Sequence, residues 1–131
     1  MTIDSTDHTG VTFFEFDPSQ DFATQLGLDA TGCTLLDIVV APPGKQEEVV
    51  EQWRRHADYM HTQPGLIKVQ LHQTVGGGTT IVNLAVWESP AALRAAISTP
   101  EFAAIAVDYP PGTVCTRHLV SAVAVPGICA T

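Results

Sequence analysis

Between Leu66 and Val75, Ile67, Val69 and Leu71 alternate with Lys68, Gln70 and His72, the period-two pattern of a strand with one buried face. A second strand is predicted from Thr79 to Trp87, where Ile81, Val82, Leu84 and Val86 follow the turn-forming Gly76-Gly77-Gly78. Upstream, Thr34 to Ala41 is nearly all apolar and is closed by Pro42-Pro43-Gly44, which predicts another strand. From Lys45 to Thr62 the period changes. Val49, Trp53, Ala57 and Met60 recur at spacings of three and four, so they form one apolar stripe on a helix. Glu47, Glu48 and Glu51 crowd its first turns, where the helix dipole favours negative charge, and Gln63-Pro64-Gly65 stops it. Ser89-Pro90 places a capping hydroxyl before a proline at the first helical position, predicting a helix to about Ile97. Ser98-Thr99-Pro100-Glu101 repeats that signal for a short helix to about Val107. A last strand is predicted from Thr113 to Val125.

The order is β-α-β-β-α-β over residues 33–125. Right-handed crossovers fold that order into an α+β, ferredoxin-like unit: a four-stranded antiparallel sheet with helices on one face. The first and third strands carry apolar residues on both faces, so the helix-free face is expected to meet a second copy in a homodimer. Residues 1–32 read as an arm and linker. Val11 to Phe16 suggests a short strand, Asp17-Pro18-Ser19-Gln20 a turn or helix start, and Leu26 to Gly32 a linker. Phe13, Phe14 and Phe16 are expected to pack on the domain or on a partner subunit. Residues 126–131 read as a tail.

Composition narrows the partners. At 131 residues the chain supports a single domain, and 45% hydrophobic with 15% charged residues describes an apolar interior. A formal charge of −8 without a Lys/Arg cluster excludes a nucleic-acid partner and leaves a neutral or weakly polar small molecule. The longest apolar stretch, Leu119 to Ala130, is interrupted by Ser121, Pro126 and Gly127 and is too short to span a bilayer. The first eight residues lack the basic-then-apolar run of a signal peptide, so a cytoplasmic protein is expected. Cys33, Cys115 and Cys129 are odd in number and far apart, which speaks against a disulfide framework or zinc site. The glycine run lacks the Lys-Ser/Thr and helix of a phosphate loop and reads as a hairpin.

Asn83 is the chemical oddity of the apolar strand. Side chains alternate, so Asn83 and Trp87 share a face with Ile81 and Ala85, and lie roughly 13 Å apart, the span of a two- or three-ring aromatic molecule. A buried amide is costly without a hydrogen-bond partner, which either a ligand or a neighbouring strand supplies.

The Gln63-Pro64-Gly65 stop, the segment Val82-Asn83-Leu84-Ala85-Val86-Trp87-Glu88-Ser89 and the later Thr99-Pro100-Glu101-Phe102 together resemble the antibiotic biosynthesis monooxygenase (ABM) domain, over about Thr34 to Val125. The resemblance implies a dimeric α+β barrel. The Asn-x-x-x-Trp spacing is similar to the cofactor-free anthrone oxygenases of aromatic polyketide pathways, which implies active-site roles for Asn83 and Trp87. It further implies oxidation of an anthrone or quinol to a quinone by dioxygen, with no metal or flavin. Some relatives carry a tyrosine where Leu93 and neighbouring alanines stand here. The haem-degrading branch uses a histidine in that helix, and Ala91 to Ile97 contains none.

Such chemistry needs a flat aromatic held dry and its enolate oxygen stabilised. Asn83 is the candidate donor, an oxyanion-hole role contributing on the order of 3 kcal/mol. Trp87 stacks on the rings or donates its indole N–H. Histidine has the pKa range of a general base, and His72 and His118, on strands, are the candidates to face the cavity. His56 and His61 lie on or just after the first helix, and another group, water or an already ionised substrate remains open. Asp37, Trp53, Arg117 and Tyr59 are candidate substrate-binding residues. Each has a structural counterpart reading: a hydrogen-bonded carboxylate, core packing, an ion pair and edge packing. A polyketide cyclase or isomerase of the same fold and a non-catalytic aromatic-binding dimer are the alternatives.

Overall fold

The central strand owes its place to having two partners. In the computed structural model, which describes the backbone of residues 2–6 and residues 10–106 and 108–130 in full, β3 (Cys33–Val40) pairs antiparallel with both β5 (Thr80–Trp87) and β6 (Val114–Val120). Strand β4 (Leu66–Gln73) adds to the far side of β5. The body of the sheet therefore runs β6-β3-β5-β4. Helices α2 (Gln46–Met60), α3 (Pro90–Ile97) and α4 (Pro100–Ala106) supply the crossovers, giving the expected α+β, ferredoxin-like arrangement. Among the described residues no helix is long and apolar enough to cross a membrane.

Two apolar clusters join helices to sheet. One gathers Val39, Val49, Ile81 and Tyr109; the other gathers Trp87, Leu93 and Ala96, with Met60 packed against it. Ser89 caps α3 as its sequence implied, its hydroxyl accepting the Ala92 N–H at 3.1 Å, with Pro90 as the first helical residue. Gly65 ends the turn after α2 at φ +98°, a conformation that side chains with a Cβ rarely adopt. A Cβ there would lie 2.5 Å from the Ala92 Cβ, so the glycine also allows α3 to close down beside Trp87.

The chain departs from the sequence reading at both ends. The last strand stops at Val120 rather than Val125, because Val120 is the last residue with a partner on β3, Thr34, and residues 121–130 are exposed. The arm does more than drape over the domain: β2 (Thr12–Glu15) pairs parallel with β6, and β1 (Thr2–Thr6) pairs antiparallel with β2. The sheet thereby has six strands, in the order β1-β2-β6-β3-β5-β4. Between β2 and β3 a short helix, α1 (Phe22–Leu26), is capped by the Asp21 carboxylate, which accepts the Thr24 N–H at 2.7 Å. Gln25 fastens it to β6, donating to the Leu119 carbonyl at 2.8 Å and accepting the Leu119 N–H at 2.9 Å.

On the helix-free face Leu36, Ile38, Val82, Leu84 and Val86 are half-buried, while Thr116 and His118 are fully buried beneath the arm.

Gly65→Ala meets both a close contact and an unfavourable φ, whereas Gly76→Ala, at φ +89° with open space around it, meets only the second. Urea unfolding should therefore show a loss of about 1 kcal/mol for Gly76→Ala and a loss of about 2 kcal/mol or more for Gly65→Ala. Equal losses would remove the packing role of Gly65.

Candidate active site

Strand register decides which polar groups meet. Asp37 on β3 lies directly across from Asn83 on β5 and from Arg117 on β6, so the three stand abreast on the helix-side face of the sheet. Helices α2, α3 and α4 roof this row, leaving two adjoining chambers of about 80 and 280 Å³. Together they reach the lower end of small-molecule sites, roughly 300–1,000 Å³. Asn83, Trp87 and Trp53 line the smaller chamber; Arg117, Tyr109 and Phe13 line the larger; Asp37 and His56 line both.

Polar atoms in this cavity lack partners. Asn83 is 7% exposed, Trp87 1% and Tyr109 7%, yet Asn83 Oδ1, Trp87 Nε1 and the Tyr109 hydroxyl have no hydrogen bond among the described residues. An unmet buried group costs about 1–3 kcal/mol. Three of them around one cavity describe a surface made to hydrogen-bond a ligand.

The charges are unusual too. Burial pushes the Asp37 carboxyl up to about 6, against the opposing pull of the Arg117 guanidinium. Desolvation is therefore the larger effect, and Asp37 titrates near neutrality. Among the described residues Arg117 makes no ion pair within 4 Å; its guanidinium carbon instead sits 4.2 Å from the centre of the Phe13 ring and 5.0 Å from that of Phe22. Burial lowers the His56 pKa, so the ring is neutral at pH 7. His56 Nε2 lies 3.3 Å from the Ile105 carbonyl and 3.2 Å from the Gln52 amide nitrogen. Tyr109 is raised far above an ordinary phenol, first by burial and then by the nearby Asp37 and Cys115. Among the described residues no group of three or more His, Cys, Asp or Glu is placed to hold a metal ion.

The structure thus brings together Asn83, Trp87, Asp37, Trp53 and Arg117 and leaves the remaining candidates outside the cavity. His72 pairs with Val82 and His118 with Leu36, positions of opposite parity to Asn83 and Asp37, so both histidines belong to the other face of the sheet. His72 is exposed there. His118 is 3% exposed, held under the arm with Nε2 accepting the Asp17 N–H at 3.3 Å and 3.2 Å from Glu15 Oε2. That geometry corrects the expectation that either histidine faces the cavity. Tyr59 lines neither chamber; its hydroxyl donates to the Ala96 carbonyl at 2.9 Å and bonds Thr99, tying α2 to the end of α3. The histidine at the cavity is His56, and its signal lay in the helix pattern: it falls three residues after Trp53 and four before Met60, on the apolar stripe. Phe102 of α4, stacked near it at 5.5 Å, joins it in lining both chambers.

The fold is shared with known proteins. The antibiotic biosynthesis monooxygenase family matches residues 39–107. None of the curated proteins matches the sequence. Among solved structures, SnoaB, a cofactor-independent oxygenase from Streptomyces nogalater, is similar at 23% identity and TM-score 0.66, over 75% of this chain and 99% of its own. A candidate monooxygenase from Shewanella loihica PV-4 is similar at 28% identity and TM-score 0.64, over 75% of this chain and 100% of its own. PA3566 from Pseudomonas aeruginosa is similar at 20% identity and TM-score 0.56, over 73% of this chain and 100% of its own.

The raised Asp37 carboxyl has a consequence for stability. Its pKa is near 4 in the unfolded chain and about 6 in the fold, so the fold holds the extra proton between those values. Stability contributed by that proton is present below pH 4 and is lost as pH rises through 6. Asp37→Asn removes the loss. In thermal melts the variant's advantage over wild type should grow between pH 4 and pH 6.5 and then level off. A difference that does not change with pH would show that Asp37 titrates normally.

Proposed function

The chain belongs to the antibiotic biosynthesis monooxygenase family, and on that premise we propose that it is a cofactor-independent oxygenase that converts an anthrone- or quinol-type aromatic polyketide to a quinone with dioxygen. The observation that carries this reading is the pair Asn83 and Trp87, buried on one face of β5 beside the Asp37 carboxyl, with Asn83 Oδ1 and Trp87 Nε1 unmatched among the described residues. The similarity to SnoaB, itself a cofactor-independent oxygenase, supports it.

Each group has a role in the sequence of steps. Asp37 removes a proton from the reacting carbon, a task suited to a carboxylate with a pKa of about 6 in a dry site. The Asn83 amide N–H donates to the oxygen on which the resulting negative charge collects. Trp87 and Trp53 hold the rings against the sheet. The electron-rich anion passes one electron to dioxygen, and the substrate radical and superoxide combine to form a C–O bond. Asp37 returns its proton to the peroxide anion. Loss of the second C–H proton then breaks the O–O bond, leaving the quinone carbonyl and one water.

This reading takes Asp37 as the base in place of His72 and His118, which lie on the far face. Burial lowers the His56 pKa, and its Nε2 is within hydrogen-bond distance of the Ile105 carbonyl or the Gln52 amide, according to its tautomer. We further propose that the helix-free face, with Leu36, Ile38, Val82, Leu84 and Val86 half-buried, is the homodimer interface.

Dioxygen uptake on adding dithranol to chelator-treated protein tests the chemistry. Uptake well above the protein-free rate is expected, with kcat lowered about 100-fold in Asn83→Ala and about 100-fold or more in Asp37→Asn. Trp87→Phe should chiefly raise KM. Turnover of a polyketide without oxygen consumption would instead identify a cyclase or isomerase.

A further inference from the structure

The larger chamber contains a cation whose donors have no partner among the described residues. Of the six Lys and Arg residues, Lys45, Arg54 and Arg55 are paired with surface carboxylates within 4 Å. Arg117 has no such partner and no hydrogen bond among the described residues. Asp37 stands beside it in register, but the two make no ion pair within 4 Å. Phe13 and Phe22 cover Arg117 from the arm, at 4.2 and 5.0 Å. Ring contacts of this kind use the charge and the faces of a guanidinium, while its five N–H donors lie in its plane. A second observation lies in the same chamber: the Tyr109 hydroxyl, on a residue 7% exposed, has no partner.

The geometry points to a carboxylate-binding subsite in this chamber, in which Arg117 grips an acidic side arm of the aromatic ligand and the Tyr109 hydroxyl donates a further hydrogen bond. The planar fork of Arg117 matches a carboxylate edge to edge. Asp37 lines both chambers, so a ligand whose rings lie by Asn83 and Trp87 reaches Arg117 across it. The arm walls the subsite, whose binding groups come from β6 and the loop before it. Phe13 and Phe22 precede the family-matched region, residues 39–107, and only about three quarters of this chain is shared with the similar structures. The substrate class of the proposed reaction thereby narrows to aromatic acids. This inference rests on the reading of the smaller chamber as an aromatic site, and its test separates the two.

The experiment is equilibrium binding by quenching of Trp53 and Trp87 fluorescence, at pH 8, with anthraquinone-2-carboxylate and its neutral carboxamide. Wild-type protein should bind the carboxylate about tenfold more tightly than the carboxamide, and added salt should narrow that gap. Arg117→Gln should bring the two affinities together with the carboxamide's unchanged, which also reports that the variant is folded. Arg117→Lys should keep part of the preference. Equal affinities in wild type, or a preference that survives Arg117→Gln, would overturn the subsite while leaving the aromatic cavity standing. Binding of neither ligand would overturn both.

Discussion

The pairing of β3 with β5 is the constraint on which the site depends. Eight consecutive residue pairs, from Cys33 with Trp87 to Val40 with Thr80, hold it in one register. A slip of a single residue would turn Asn83 and Trp87 to the helix-free face and present Val82, Leu84 and Val86 to the helices. Such a slip is prevented from both directions. Trp87 and Ile81 are fully buried against α3 and α2, and Ala85, between them on that face, leaves room for the cavity. The same residues that make a stable layer thus aim the polar row, and β6 extends the row by presenting Arg117 beside Asp37.

That row opposes the stability of the domain. An amide oxygen, an indole N–H and a phenol sit away from water without partners among the described residues, beside a carboxyl that burial holds near 6. Each would be more favourably solvated in the unfolded chain. Asn83, Trp87 and Tyr109 gather at one cavity, while Thr116 Oγ1 and His118 Nδ1 are unmet on the opposite face, beside the arm. The flanking clusters compensate, with Leu93, Val49 and Val39 at 0–1% exposure on either side of the chambers. Unlike a surface ion pair such as Arg54 with Glu51, whose exposed geometry contributes little, these buried groups change their protonation and binding behaviour because of where they lie.

Much of this was legible in the residues, and the reasons are specific. Ser89-Pro90, Pro42-Pro43-Gly44 and Gln63-Pro64-Gly65 are local signals, and the elements they bound lie within two residues of their expected ends. Asn83 and Trp87 fell on one face by alternation alone. Parity between strands is different, because it is fixed only by register. Nothing within Leu66 to Val75 says that His72 stands opposite Val82 rather than Asn83, and the same holds for His118. His56 was within reach: a polar residue on the stripe of Val49, Trp53 and Met60 has to face the sheet. The arm was not. Its short strand was visible in Val11 to Phe16, but a parallel pairing with a strand a hundred residues later depends on long-range geometry that no local pattern encodes.

The arm also links the two faces of the sheet. Phe13, paired in register with Cys115, looks into the larger chamber and stacks on Arg117, while Phe16 and Asp17 pass to the opposite face and cover His118. The arm performs both tasks because β2 ends at Glu15, and the chain beyond it leaves the strand and crosses the sheet edge. α1 then returns along the helix side, fastened by Gln25 to Leu119, and places Phe22 against the same guanidinium. Without the arm, Arg117 would lie on the margin of the sheet, where water screens its charge. With the arm in place, the rings of Phe13 and Phe22 cover the guanidinium beside Asp37, so water screens its charge less than at an open edge.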